Sequence, residues 1–274
     1  MKFINNQLLK IFFFLFFSLS FSQIDNDNKL LGEFTYLFQY KPNTLNPNHI
    51  VQELFTFQIS QDKAFFISEN KLKFDSIFIS QFKTNKTNID MRNFPNKPTS
   101  KFLIIQTSDG SNYYERIGRS VLFYNSPIIK DWKLSTENKK INGIECKKAE
   151  VRYKGRDWTA WYSTALPFPY GPYKFNGLPG LIIKITDKTG DYDFELVKSV
   201  ASSNLKGMTV SVNKMHYEKA KQVTKSELIQ ARKNFRENIK YELENTGTSF
   251  SNKIERNRID ERDKKGYNPI ELED

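Results

Sequence analysis

The sequence has 274 residues, with 42 lysine and arginine side chains against 31 aspartate and glutamate side chains, one cysteine and two histidines. One cysteine excludes an intrachain disulfide framework, and two histidines leave few combinations for a zinc or iron centre. Hydrophobic residues make up 38% of the chain and charged residues 27%, a balance that indicates a packed core rather than intrinsic disorder.

Residues 1–22 have the pattern of a secretory signal peptide. A lysine-containing start precedes a short run rich in Phe and Leu, and the small residues Ser20 and Ser22 end the segment. We expect cleavage before Gln23; the alternative is an uncleaved anchor, for which the apolar run is short. Cleavage leaves 40 basic side chains against 31 acidic ones, a net charge of +9. No later segment is apolar and long enough for a membrane span, so we expect an exported protein without a transmembrane segment.

The rest of the chain begins with a series of short strands. Segments rich in Phe, Tyr and Ile are separated by Asn, Pro, Asp and Gly, which is typical of antiparallel strands joined by turns. The strand candidates lie at 32–40, 53–60, 63–68, 102–106, 112–117, 120–124, 146–153, 158–162, 181–186 and 192–199. This pattern predicts a curved antiparallel sheet, a sandwich or a partial barrel.

Two helices are predicted, a weaker one at 71–82 and a stronger one at 224–245. In the second, Thr224 and Glu227 form a capping box, and an apolar stripe at helical spacing follows. The stripe consists of Leu228, Ala231, Phe235, Ile239 and Leu243. We therefore predict an α+β fold in which a long C-terminal helix packs on a β-rich curved sheet. Residues 23–245 form one domain in this interpretation, and residues 246–274 form a charged C-terminal tail.

The basic residues are interleaved with acidic ones along the whole chain. Nucleic-acid binding is not expected, because it requires a concentrated basic stripe or a known reading motif. An anionic membrane surface stays open as an alternative partner.

Few residues suggest catalysis. Asp191, Asp193 and Glu195 alternate with apolar residues and therefore share one face of a strand. They could hold a divalent cation or act as an acid and a base, but the apolar opposite face favours a solvent-exposed face of an amphipathic strand. Cys146 could be a reactive thiol, although burial in a strand is favoured. Common catalytic and cofactor motifs are absent, so no catalytic residue, metal or cofactor is predicted.

The segment 163–180 is rich in Pro, Gly and aromatic residues, which stop the preceding strand and give the chain a defined irregular path. Two interpretations stay open. The segment is either a rigid aromatic platform for a partner or a crossover whose rings fill the core. In the first interpretation the binding residues are Trp161, Tyr170, Tyr173, Lys174 and Phe175, and the structural residues are Gly177, Pro179 and Gly180.

Residues 177–182 read Gly-Leu-Pro-Gly-Leu-Ile, and in this the chain resembles the GLPGLI family of exported bacterial proteins. The surrounding residues are similar as well, notably Gly155-Arg156, Trp158, Ala160-Trp161-Tyr162 and Gly171-Pro172-Tyr173-Lys174-Phe175. The ending 268–272 is similar to the usual C-terminus of that family. The resemblance implies an exported protein of unknown function, located in the periplasm or at the outer membrane, with no catalytic residues to transfer. It also implies a partner such as an outer-membrane TonB-dependent receptor or another envelope protein.

The sequence thus favours a non-catalytic, exported binding or assembly module. One alternative is an envelope hydrolase or peptidase-like enzyme that uses Asp191, Asp193, Glu195 or Cys146. Another is a periplasmic carrier of hydrophobic ligands, which requires an apolar cavity inside the sheet.

Overall fold

The computed structural model describes residues 28–84, 94–95, 99–245 and 265–273, with side-chain burial described in the last helix as far as residue 238. The predicted signal peptide and residues 246–264 of the predicted tail lie outside these residues. In the part that is described, no helix is long and apolar enough to cross a membrane.

The described chain forms a twelve-stranded sheet in the order β12-β6-β5-β4-β3-β2-β1-β11-β10-β9-β8-β7. The strands are β1 (Gly32–Tyr40), β2 (Val51–Ile59), β3 (Ala64–Ser68), β4 (Phe102–Thr107), β5 (Gly110–Ile117), β6 (Ser120–Pro127), β7 (Lys133–Ile141), β8 (Ile144–Tyr153), β9 (Arg156–Ser163), β10 (Leu181–Asp187), β11 (Tyr192–Ser199) and β12 (Lys221–Gln222). Neighbouring strands pair antiparallel, as predicted, except that the two-residue β12 pairs parallel with β6.

Alternation of side chains divides the sheet into two faces. In β1, Phe34, Tyr36 and Phe38 are buried, whereas the residues between them are partly exposed. Phe38 stacks on Phe194 of β11 with ring centroids 4.3 Å apart. We call this side the inner face, and it holds the main hydrophobic core. The opposite side, which bears Leu37, is the outer face.

The outer face carries a second, smaller core over β3, β4 and β5. Its buried residues are Phe65, Ile67, Leu103, Ile105, Tyr114 and Val212. Helix α1 (Glu69–Thr84) lies beside β2 and β3. The segment 210–220, with a 3-10 turn at Lys214–His216, packs on the smaller core. His216 joins these two elements, because its Nε2 lies 2.6 Å from the Asp75 carboxylate of α1.

The prediction of an α+β fold with a long helix packed on the sheet is wrong. The described residues form one large sheet with only the helices α1 and α2 beside it, and the part of helix α2 (Lys225–Asn245) whose side chains are described is short. The capping box forms as predicted, since the Glu227 amide donates to the Thr224 hydroxyl. Of the predicted stripe, Leu228 is buried but Phe235 is 39% exposed.

The physical reason is that the apolar stripe of α2 makes a smaller contact than its spacing suggests. The helix touches the sheet at β5 and β6, where its described stripe contributes Leu228 to the core. Its second attachment is polar, a pair of hydrogen bonds from the Arg232 guanidinium to the Glu115 carboxylate. A periodic stripe shows which face of a helix is apolar, but not how much sheet is available to cover it.

Candidate functional site

The segment 163–180 lies on the inner face of the sheet. Tyr170, Tyr173, Lys174 and Phe175, all proposed from the sequence as binding residues, are buried there. Phe175 packs on Trp158 with ring centroids 4.6 Å apart. The assignment of these residues to partner binding stays a prediction, and their contacts are with the core of this chain.

Polar contacts fix the path of this segment. The side-chain amide of Gln106 in β4 donates to the carbonyl oxygens of Gly171 and Tyr173, each at 2.7 Å. Gly177 has φ +86°, and a Cβ at this position would lie 2.3 Å from the Ile129 carbonyl oxygen. A Cβ on Gly180 would lie 2.2 Å from the Ser163 carbonyl oxygen. The signature glycines are therefore required by close backbone approach.

Lys174 is the most unusual residue of the segment, because its side chain is 0% exposed. Its amine donates to the hydroxyl oxygen of Tyr124 at 2.7 Å and to Glu271 Oε1 at 2.6 Å. The amine also lies 4.4 Å, 5.3 Å and 5.4 Å from the ring centroids of Tyr124, Tyr173 and Tyr113. Burial lowers the pKa of Lys174 to about 8, although Glu271 opposes this shift.

Glu271 receives three donors at once. Lys174 and the Tyr173 hydroxyl, at 2.8 Å, donate to Oε1, and the Lys225 amine lies 3.1 Å from Oε2. Burial would raise the pKa of Glu271, but the combined attraction of Lys174, Tyr173 and Lys225 holds it below its ordinary value. We call Lys174, Lys225 and Tyr173 the carboxylate site.

The segment 265–273 brings Glu271 to this site by running along the inner face, where Ile270 packs against the main core. It forms an isolated antiparallel bridge between Tyr267 and Asn43, and the Asn268 backbone amide donates to the Pro42 carbonyl at 3.0 Å. At the other end, the Leu272 amide donates to the Lys154 carbonyl at 2.9 Å. The described end of the predicted tail is thus bound to the domain through its backbone.

Arg156 forms a second anchor for the same segment. Its guanidinium donates to Asp187 Oδ2 at 2.7 Å and lies 4.7 Å from the ring centroid of Tyr192. It also donates to two oxygens of the segment, the side-chain oxygen of Asn268 and, at 2.8 Å, the carbonyl of Pro269. A buried cation therefore recognises the Asn-Pro step, as a second cation recognises Glu271.

The three carboxylates singled out from the sequence do not converge. Asp191 pairs with Lys41 at 3.3 Å, whereas Asp193 and Glu195 share the Lys184 amine at 3.2 Å and 2.5 Å. Burial raises the pKa of Asp193, and the hydrogen bond from Lys184 lowers the pKa of Glu195. Among the described residues, no group of three His, Cys, Asp or Glu side chains is placed to hold a metal ion.

Trp161 lies on the outer face, in a row of residues that are paired across six strands. The row reads Lys148, Trp161, Lys184, Glu195, Leu37 and Leu54 from β8 to β2. Each of these residues is partly or largely exposed, and the Lys139 amine lies 5.6 Å from the Trp161 ring centroid. We call this row the outer row.

Cys146 is buried in β8, and burial raises the pKa of its thiol to about 11. The Cys146 thiol donates a hydrogen bond to the Ile144 carbonyl oxygen, with Sγ and the oxygen 3.3 Å apart. These features describe an unreactive thiol.

Sequence reasoning missed Glu271 and the role of Arg156, because their partners lie far away along the chain. One local signal was present: Pro269, Ile270 and Leu272 follow a run in which ten of thirteen residues, 253–265, are charged. Apolar residues after such a run indicate a segment with its own contact surface.

A family model described as "Protein of unknown function (Porph_ging)" matches residues 150–184, which include Arg156, Trp161 and the segment 163–180. No curated protein matches the chain.

Among solved structures, the chain is similar to PNGF-II in its P21 form, with 14% identity and a TM-score of 0.47, over 75% of this chain and 33% of that chain. The C2 form of PNGF-II gives 13% identity and a TM-score of 0.46, over the same shares. An uncharacterized conserved protein from Thermus thermophilus gives 11% identity and a TM-score of 0.33, over 71% of this chain and 93% of that chain. The match thus spans about a third of the length of the PNGF-II chains.

Proposed function

We propose that this chain is a GLPGLI-type exported protein of the bacterial cell envelope that acts as a non-catalytic binding or assembly module. The support for the family is the motif at residues 177–182. This motif lies wholly within residues 150–184, which the family model matches. The support for export is the pattern of residues 1–22. The proposed location is the periplasm, or an association with the outer membrane.

The observation that carries the binding role is the accessibility of the outer row. The inner face is filled by the aromatic side chains of segment 163–180 and by segment 265–273. Trp161 is the large aromatic side chain of the outer row, and it lies between Lys148 and Lys184. A partly exposed tryptophan among charged residues of both signs is typical of a protein-binding surface.

The groups that an enzyme would use are engaged in structural contacts, which also supports this proposal. Lys184 pairs with both Asp193 and Glu195, and Asp191 is held by Lys41. Cys146 is buried. The charges of Asp193 and Glu195 are offset by Lys184 on the outer face, where these groups would supply polar contacts to a partner.

The proposed partner is an envelope protein, and an outer-membrane TonB-dependent receptor is the candidate that the family resemblance suggests. The test is crosslinking in the native cell envelope, followed by mass spectrometry. The variant Trp161→Ala is compared with the control variant Leu134→Ala. Leu134 is exposed on the edge strand β7, and it pairs with the inner-facing Ala149, so it does not belong to the outer row.

We expect both variants to keep the wild-type melting temperature within a few degrees, because both side chains reach solvent. A specific crosslinked partner should be lost from Trp161→Ala and kept in Leu134→Ala. If the same partner is recovered from both variants in equal yield, the outer row is not the binding surface. If wild-type protein yields no specific protein partner, the assembly role is contradicted.

A further inference from the structure

The segment 265–273 contacts the domain in the way that a peptide ligand contacts a receptor. Its backbone amides bond to the carbonyls of Pro42 and Lys154, and the side chains of Asn268 and Glu271 are buried. Two of its larger apolar side chains contribute little, since Leu272 and Tyr267 are exposed. Polar recognition at two points, Asn268 and Glu271, therefore holds the segment in place, together with Ile270, which packs on the main core.

The receptor side of this contact is prepared in the domain. Lys174 lies in the signature segment, Lys225 begins α2, and Tyr173 is held by the hydrogen bond from Gln106 to its carbonyl. All three donors point to one carboxylate, at 2.6 Å, 3.1 Å and 2.8 Å. A neutral or basic side chain at position 271 would leave Lys174 buried without an anionic partner, which is costly.

Selection within the segment supports the same interpretation. Glu273, two residues after Glu271, is also acidic, but its side chain is 60% exposed and it pairs with the exposed Arg152. The domain therefore distinguishes one carboxylate of the segment from its neighbour by burial and by the number of donors.

We propose that the inner face carries a binding site for an acidic peptide, and that the chain's own segment 265–273 is the resident ligand of this site. The site has two contact points. The carboxylate site takes the acidic side chain, and Arg156 takes the oxygens of an Asn-Pro step. It lies on the inner face, so it is separate from the outer row and does not depend on the function proposed for that row.

The resident segment and a similar peptide from another molecule would present the same acidic side chain and the same Asn-Pro oxygens to the site. The two would therefore compete, and only one could be bound at a time. A peptide from a second copy of this chain or from a partner protein can bind only when the resident segment leaves. The wild-type chain should therefore bind such a peptide weakly, and a chain whose own segment lacks Glu271 should bind it better.

The first test is rescue of the full-length Glu271→Ala chain by a small carboxylate. The variant is melted in sodium propionate and, at equal concentration, in sodium chloride, and Glu273→Ala is the matched control. We expect propionate to raise the melting temperature of Glu271→Ala with a saturable dependence on concentration, and to leave Glu273→Ala and wild type unchanged.

The double variant Lys174→Met/Glu271→Ala should not respond to propionate, because it lacks the buried amine. Equal responses of all four chains, or no response of Glu271→Ala, would overturn the carboxylate site. If Glu271→Ala does not fold in sodium chloride, recovery of its β-sheet circular dichroism in propionate supports the site, and failure to recover overturns it.

The second test titrates a labelled peptide of residues 265–274 into the full-length Glu271→Ala chain, followed by fluorescence anisotropy. Binding should be at least tenfold tighter than to wild type, and at least tenfold tighter than for the same peptide with Gln in place of Glu271. Equal affinity for the two peptides, or no binding, contradicts peptide recognition. Light scattering of the wild-type chain separates the sources. A dimer that Glu271→Ala loses indicates a second copy as the donor, and a monomer indicates that the chain's own segment fills the site.

Discussion

Replacing Lys174 by methionine tests whether the buried ion pair has the energetic role that its geometry indicates. Methionine has a similar length and no charge, so the substitution removes the amine without a large cavity. Removing one partner of a buried ion pair costs about 3–5 kcal/mol, because the other charge stays buried. Glu271 keeps Lys225 and Tyr173 as partners, and we therefore expect the lower end, about 3 kcal/mol.

For a chain of this size, about 3 kcal/mol corresponds to a fall of roughly 6–12 °C in melting temperature, measured by circular dichroism or calorimetry. The double variant Lys174→Met/Glu271→Leu should be more stable than Lys174→Met alone, because the buried carboxylate is removed together with its main partner. A Lys174→Met chain that melts with wild type would refute this reasoning. The reasoning would also be refuted if the double variant lost as much free energy of unfolding as Lys174→Met and Glu271→Leu lose together when made separately.

The stability difference between wild type and Lys174→Met should depend on pH. The folded-state pKa of Lys174 is about 8, below its ordinary 10.5. Between these two values the unfolded chain binds a proton that the folded chain has released, so this group makes the free energy of unfolding rise with pH. Lys174→Met lacks this contribution. The difference in melting temperature between wild type and variant should therefore widen from about pH 7 to about pH 9.5, and a constant or shrinking difference would contradict the lowered pKa.

Three further predictions concern single positions. Gly177→Ala should lower the free energy of unfolding, measured with denaturant, by about 2 kcal/mol more than Gly190→Ala. Both glycines have positive φ, but of the two only Gly177 has a backbone oxygen within 4 Å of an added Cβ. Equal losses of stability would contradict this close approach. The Cys146 thiol, buried and with its pKa raised to about 11, should react with a disulfide reagent only as fast as the chain unfolds, and immediate reaction of the native protein would show an open site. Leu228→Ala should lower the free energy of unfolding by about 2–4 kcal/mol and Phe235→Ala by less than about 1.5 kcal/mol, because Leu228 is buried and Phe235 is partly exposed. The reverse order would show that α2 packs on the sheet as far as Phe235.

Local pattern was sufficient for the strands that alternate. The predicted ranges 32–40 and 192–199 coincide with β1 and β11, because each has buried residues at alternate positions on one face. The strand β7 was missed, since Lys133–Ile141 is almost wholly polar and exposed. An edge strand is held by backbone hydrogen bonds to one neighbour, in this case β8, and needs no apolar face.

The candidate site was less predictable, because its contacts join positions that are far apart in sequence. Lys174 and Glu271 are separated by 97 residues, and Arg156 and Asn268 by 112. The unusual composition of segment 163–180 was visible in the sequence, but its orientation was not. Proline and glycine show that a path is fixed, whereas the sheet determines which side chains are covered.

The charge of Lys174 is informative because the core does not need it. Apolar side chains at positions 174 and 271 together would fill the same space without a desolvation cost, and buried ion pairs are often less stable than such paired replacements. The ion pair provides selectivity instead: it favours one carboxylate, that of Glu271, over the exposed Glu273 two residues later. A cost in stability combined with a gain in selectivity is expected of a site that recognises a segment, and it is not expected of a contact that only fills the core.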